Sequence, residues 1–173
     1  VLIEAVDRLL GEGLDLQLWI AGEGGERERL ERQIAATRDP GRFRLLGHRA
    51  DTVALFEGFD LFALSSLREG LPNVVLEAMA MEVPVAATRS GGMGAFARDG
   101  EDALLCPTGS AEALAEVLGR LARDPALRAR LAQSARARIE REYSFRHRMQ
   151  REVEIYDGLR TGGLAATPRA HAA

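Results

Sequence analysis

No lysine occurs anywhere in this sequence: all 23 of its Lys+Arg residues are arginine. With so much alanine and glycine beside it, this reads as the coding bias of a GC-rich genome. It has a chemical consequence all the same, because any step that needs a compact ammonium must draw it from outside these residues. Cysteine is nearly absent too. Cys106 stands alone, so no internal disulfide can form and nothing points to an oxidising compartment. Histidine is limited to His48, His147 and His171, too few and too scattered for a metal cluster. No apolar run approaches the roughly 20 residues of a membrane span. The first residues lack the layout of a signal peptide, so a cytoplasmic location is the expectation. A net charge of -3 argues against a dedicated nucleic-acid binder.

What remains is the profile of one globular domain, 173 residues long, 46% apolar and 28% charged. Leu2, Ile3, Val6, Leu9 and Leu10 share one helical face, closed off by Gly11 and Gly13. No capping residue precedes them, so the chain is expected to begin inside or at the edge of this helix. Short apolar segments then alternate with helical ones. Strands are predicted at 16–21, 43–46, 61–64, 83–87 and 103–106, and helices at 26–37, 51–57 and 72–81. Residues 90–94 read as a glycine-rich loop, Trp19 as core in a buried strand, and Cys106, Met79 and Met81 as packing residues. This alternation defines an α/β fold: a doubly wound, Rossmann-like parallel sheet flanked by helices.

After Pro107 the strands stop. Ser110 and Asp124 are expected to cap helices over 111–123 and 125–143, and a final helix spans 144–159. The domain is placed at residues 1–160. The Gly-, Ala- and Pro-rich stretch 161–173 reads as a disordered tail.

The chemistry is expected after the third strand, in Ser65-Ser66-Leu67-Arg68-Glu69-Gly70-Leu71-Pro72-Asn73-Val74-Val75-Leu76-Glu77. In open parallel sheets, ligands bind where strand ends meet helix N-termini. Gly70 permits close backbone approach, Pro72 suits the first turn of a helix, and the free amides of that turn suit a phosphate. Glu69 and Glu77 frame this anion site with seven residues between them. A carboxylate can accept two hydrogen bonds from a diol, the geometry that holds a ribose or a hexose.

Here the sequence resembles the retaining glycosyltransferases of family 4, which have the GT-B fold. Glu69 to Glu77 match the family's E-x7-E signature, and Val83-Pro84-Val85-Ala86 and Gly91-Gly92 follow in order. Upstream, Leu18 to Gly24, Phe43 to Gly47 and Phe59 to Ser65 resemble its preceding strands, so the likeness runs from Val1 to about Arg160. It implies one half of a GT-B fold, the C-terminal half that binds the donor. Glu77 would hold the donor's ribose. Glu69 would act at the transferred sugar beside the reacting carbon. Gly70, Leu71, Asn73 and Val74 would face the sugar and diphosphate, and Gly47, His48 and Arg49 would lie near the base. The reaction implied is hexosyl transfer from a nucleoside-diphosphate sugar with retention. No cofactor and no obligatory metal are expected, and the acceptor is a glycan, a lipid-linked sugar or a small molecule.

The family's diphosphate lysine would fall just before Val1, since Leu2-Ile3-Glu4-Ala5 matches the stretch that ends its helix. Because the resemblance covers only the C-terminal half of the family's fold, a missing N-terminal domain is an expected partner, and residues 1–173 alone are expected to be inactive. The alternative is a non-catalytic nucleotide-sugar-binding fragment; an epimerase or phosphorylase of the same fold is a third reading. Glu82 replaces the family's usual glycine, and the acid expected after Gly91-Gly92 is absent. Gly91-Gly92 reads equally well as a plain turn or a ligand contact. Between Gly119 and Arg151, ten arginines face only Asp124, Glu140 and Glu142. A solvated helical face is favoured over peripheral contact with the inner face of an anionic membrane.

Overall fold

The computed structural model describes residues 1–160; the expected tail at 161–173 lies outside the described residues. The chain divides into two compact units, the first covering Val1–Arg136 and the second starting at Ala137.

In the first unit, β1 (Leu18–Ala21) pairs in parallel with β2 (Phe43–Gly47). A second parallel sheet has the order β3 (Phe62–Leu64), β4 (Val85–Thr88), β5 (Leu104–Cys106). The α/β class and parallel pairing expected from the alternation are present, with the ladder divided into two sheets. Every residue of β4 is buried. A central strand covered on both faces has room for small side chains, and Ala86 and Ala87 occupy it at 0% exposure.

The helices of this unit are α1 (Leu2–Gly11), α2 (Arg27–Ala35), α3 (Thr52–Glu57), α4 (Asn73–Ala80), α5 (Gly91–Phe96), α6 (Ala111–Arg123) and α7 (Pro125–Arg138), the last two residues of α7 opening the second unit. Ile3, Val6 and Leu9 of α1 share one core with Leu114, Leu118 and Leu121 of α6, Phe43 of β2, Ala86 of β4 and Leu104 of β5. A Cβ on Gly119 would stand 3.0 Å from Leu9, so this glycine sets how closely α1 lies on α6.

Ser110 and Asp124 cap their helices, whereas Asp51, also read from the sequence as a possible cap, stands at the N-cap of α3 without a side-chain cap bond because its carboxylate is taken by Arg49. Ser110 Oγ accepts from the Ala113 amide at 3.0 Å, and Asp124 Oδ1 from the Leu127 amide at 2.9 Å. α4 ends in a Schellman motif: the Val83 amide donates to the Ala78 carbonyl at 2.9 Å and the Glu82 amide to Met79 at 3.2 Å. The motif requires a left-handed residue after the cap. Glu82 supplies it at φ 56, the one non-glycine residue with positive φ among those described. Arg136 Nη1 donates to the Ala80 carbonyl at the same helix end.

Two expectations are corrected. Residues 90–94 are not a glycine-rich loop, because Gly91–Phe96 forms a short helix with Ser90 at its N-cap. Trp19 is not core. It is 46% exposed, because β1 alternates and its half-buried face is Leu18 and Ile20. Cys106 and Met79 are buried as expected, and burial pushes the Cys106 thiol pKa up, as fits an unreactive core residue.

The arginine-rich segment is largely engaged within each unit. In the first, Arg123 pairs with Glu12 at 2.6 Å, Arg128 donates to the Leu121 and Ala122 carbonyls, and Arg130 to Gly100. In the second, Ile139–Tyr143 forms a π-helical turn and Phe145–Arg160 forms α8, with Ser144 accepting from the His147 amide at 3.3 Å. Glu142 accepts from Arg138 at 2.9 Å and from Arg141 at 2.6 Å, which holds its carboxyl at about 2. Phe145, Met149 and Tyr156 are exposed along α8. Among the described residues, no helix is long and apolar enough to cross a membrane.

Candidate functional site

The segment between β3 and α4 is built around unpaired backbone. Pro72 is the N-cap of α4 rather than its first residue, with extended backbone (φ -75, ψ 108) and no side-chain cap. The first backbone bond returning into this turn comes from the Val75 amide, which donates to the Pro72 carbonyl at 3.0 Å. Among the described residues, the amides of Gly70, Leu71, Asn73 and Val74 donate to no protein group. Four donors are thus left open at and just before one helix start, the kind of group that can meet an anion.

α4 buries Val75, Ala78 and Met79 and exposes Asn73, Val74 and Glu77. The helical period thus puts Glu77 on the same exposed stripe as the first turn. Cα–Cβ bonds tilt toward a helix's N-terminus, so the Glu77 side chain leaves the backbone in the direction of that first turn. Among the described residues the Glu77 carboxylate has no hydrogen-bond or ion-pair partner, while its carbonyl accepts from the Met81 amide at 3.0 Å.

Glu69 is held quite differently. It is half-buried, and its Oε1 accepts from Ser66 Oγ at 2.8 Å. Its own carbonyl accepts from the Gly92 amide at 2.9 Å, which ties the loop to the start of α5. The two backbones run so close that a Cβ on Gly92 would collide with the Gly70 carbonyl and reach 3.0 Å from the Leu71 amide. A Cβ on Gly91 would collide with the Glu69 carbonyl. From beneath, Thr88 at the end of β4, with 0% exposure, donates its hydroxyl to the Ser66 carbonyl at 2.6 Å. Ser66, Thr88 and Gly92 were not singled out by sequence as supports for Glu69. The available signal was hydroxyl residues at the ends of neighbouring parallel strands and a glycine pair directly after one of them.

Gly47, His48 and Arg49 lie elsewhere, after β2. Gly47 adopts φ 70 and its carbonyl accepts from the Gly22 amide at 2.8 Å. His48 and Arg49 are exposed. Arg49 grips Asp51 through both ends of its guanidinium, with Nε at 2.7 Å from Oδ1; this pair raises the Arg49 pKa and lowers that of Asp51. Beside Gly22 to Gly24 opens a cleft of about 170 Å³, lined also by Ile20, Leu30 and Leu45. Among the described residues, no hydrogen bond or ion pair links this loop to the Glu69 segment.

Residues 1–124 match the family described as glycosyl transferases group 1, and the chain belongs to that family. It is 38% identical over 143 residues to the lipopolysaccharide core biosynthesis glycosyltransferase LpsE of Rhizobium meliloti, covering 83% of this chain and 41% of LpsE. Its structural neighbours are GT-B glycosyltransferases. HepE of Anabaena, solved with UDP and with UDP-glucose, superposes with TM-scores of 0.83 and 0.82 at 25% identity, over 91% of this chain and 44% of HepE. The C-terminal domain of the group 1 glycosyl transferase LpcC from Francisella tularensis has the same fold, with a TM-score of 0.74 at 23% identity over 83% of this chain and 77% of that one. The chain thus spans about two fifths of the length of LpsE.

Proposed function

We propose that this chain is the donor-binding half of a retaining, family 4 glycosyltransferase that moves a hexose from a nucleoside-diphosphate sugar to an acceptor. The observation that carries the reading is the group of open amides at Gly70, Leu71, Asn73 and Val74, with a fixed carboxylate at Glu69 and a free one at Glu77. The amides would take the diphosphate oxygens and stabilise the charge that grows there as the sugar–phosphate bond breaks. Glu77 would accept two hydrogen bonds from the ribose diol. Glu69, immobilised on two sides, would accept from hydroxyls of the transferred sugar beside the reacting carbon. Gly47, His48 and Arg49 would border the base, and the UDP and UDP-glucose seen with HepE suggest a uridine donor.

Aligned amides can carry the leaving-group charge without a metal, so the proposed reaction has no obligatory one. A lysine contribution to the diphosphate, absent from residues 1–173, would have to come from outside them, and sugar transfer by these residues alone is not expected. The acceptor would be a glycan, a lipid-linked sugar or a small molecule, reached from the cytoplasm. Calorimetric titration with uridine, guanosine and adenosine diphosphate sugars tests the reading. One of them should bind, and Glu77→Ala should weaken it about tenfold or more, ~1.4 kcal/mol. Equal affinity in parent and variant would remove Glu77 from the site.

A further inference from the structure

Ser66 belongs neither to the E-x7-E pair nor to the positions assigned above to the donor. Yet its two polar groups join the carboxylate of Glu69 to the floor of the sheet. Its hydroxyl donates to Glu69 Oε1 at 2.8 Å, while its carbonyl accepts from Thr88 Oγ1 at 2.6 Å. Thr88 is fully buried in β4 and cannot move without disturbing the central strand. The Gly92 amide fixes the other end of the same residue by donating to the Glu69 carbonyl at 2.9 Å. We infer that Ser66, anchored by Thr88, is a positioning residue that fixes the Glu69 carboxylate for the transferred sugar. The inference rests on the donor reading above.

A glutamate in a loop has three rotatable side-chain bonds, and an unheld carboxylate samples many orientations before it meets a sugar hydroxyl. A hydroxyl donating to one carboxylate oxygen selects a narrow set of these and leaves the lone pairs of the other oxygen for the ligand. Because Glu69 is assigned to the sugar and not to the nucleotide, losing Ser66 should affect the two parts of the donor unequally. A merely structural serine would weaken both together.

The test compares the affinities of UDP and UDP-glucose for the full chain and its Ser66→Ala and Ser66→Thr variants. For the unaltered chain, UDP-glucose should bind more tightly than UDP. In Ser66→Ala the UDP affinity should stay the same while the UDP-glucose affinity falls about tenfold, ~1.4 kcal/mol. Ser66→Thr keeps the hydroxyl and should restore the difference. Thr88→Val, which removes the anchor at nearly constant volume, should reproduce the Ser66→Ala pattern, and Thr88→Ser should not. Unequal loss with rescue by the hydroxyl variants supports the inference. Equal weakening of both ligands, or an unchanged UDP-glucose affinity in Ser66→Ala, overturns it while leaving the donor reading intact. If another nucleotide sugar binds instead, the same comparison is made with it and its nucleoside diphosphate; binding of no nucleotide sugar by the unaltered chain overturns both.

Discussion

The Gly92 amide donates to the Glu69 carbonyl at 2.9 Å, so the residue proposed to face the sugar is held by the start of a different helix. That bond needs a backbone approach which only glycine allows, since a Cβ at position 92 would overlap the Gly70 carbonyl. Gly92→Ala should therefore displace the loop, destabilise the fold by about 1–3 kcal/mol, and weaken UDP-glucose binding. Gly94 in the same helix is the control, because a Cβ there meets nothing closer than 3.9 Å. Gly94→Ala should stabilise by up to ~1 kcal/mol through helix propensity. Thermal unfolding and titration of both variants settle the matter; identical behaviour would refute the steric account.

Glu82 is a second backbone position with a clear expectation. It completes the Schellman motif at φ 56, where a side chain costs roughly 1 kcal/mol that glycine does not. Its preceding cap bonds are intact, so Glu82→Gly should keep the motif and raise stability by about 1 kcal/mol, or about 2–4 °C in melting temperature for a chain of this size. A drop in melting temperature would mean that the glutamate side chain contributes more than its backbone strain costs.

These two sites also show what the sequence made legible. Alternating apolar segments gave the strands and helices, because the periods of 2 and 3.6 are written directly in residue order. The caps at Ser110 and Asp124 were readable for the same reason, each depending on a residue within three positions. The helix at Gly91–Phe96 was hidden because three glycines in six residues erase the helical signature. It is bonded to a loop more than twenty residues earlier in the chain, and local propensity carries no trace of that. Trp19 misled because its size suggested core, although Gln17, two residues before it on the same face, marks that face as exposed. The Glu69 and Glu77 pair came from a family pattern. The supports of Glu69, Ser66 and Thr88, lie 22 residues apart and meet only once the strands pair.

In the second unit, Glu142 should stay ionised far into acid. Hydrogen bonds from Arg141 and Arg138 bring its carboxyl from 4.5 down to about 2. A depressed acid contributes stability above its unfolded value and loses it as pH falls through the folded one. The contribution should be complete above roughly pH 5 and decline toward pH 2. Carbon-detected NMR titration of the Glu142 carboxyl should give a midpoint near 2, and Arg138→Gln with Arg141→Gln should move it up toward 4.5. An unshifted midpoint in the double variant would remove the two arginines as the cause.

The measurement closest to the heart of the account is amide NMR of the isotopically labelled chain during titration with UDP. If the open donors at the start of α4 grip the diphosphate, the resonances of Gly70, Leu71, Asn73 and Val74 should show the largest shifts, saturating together. Saturable binding whose largest shifts fall elsewhere, with those four amides unmoved, would contradict it.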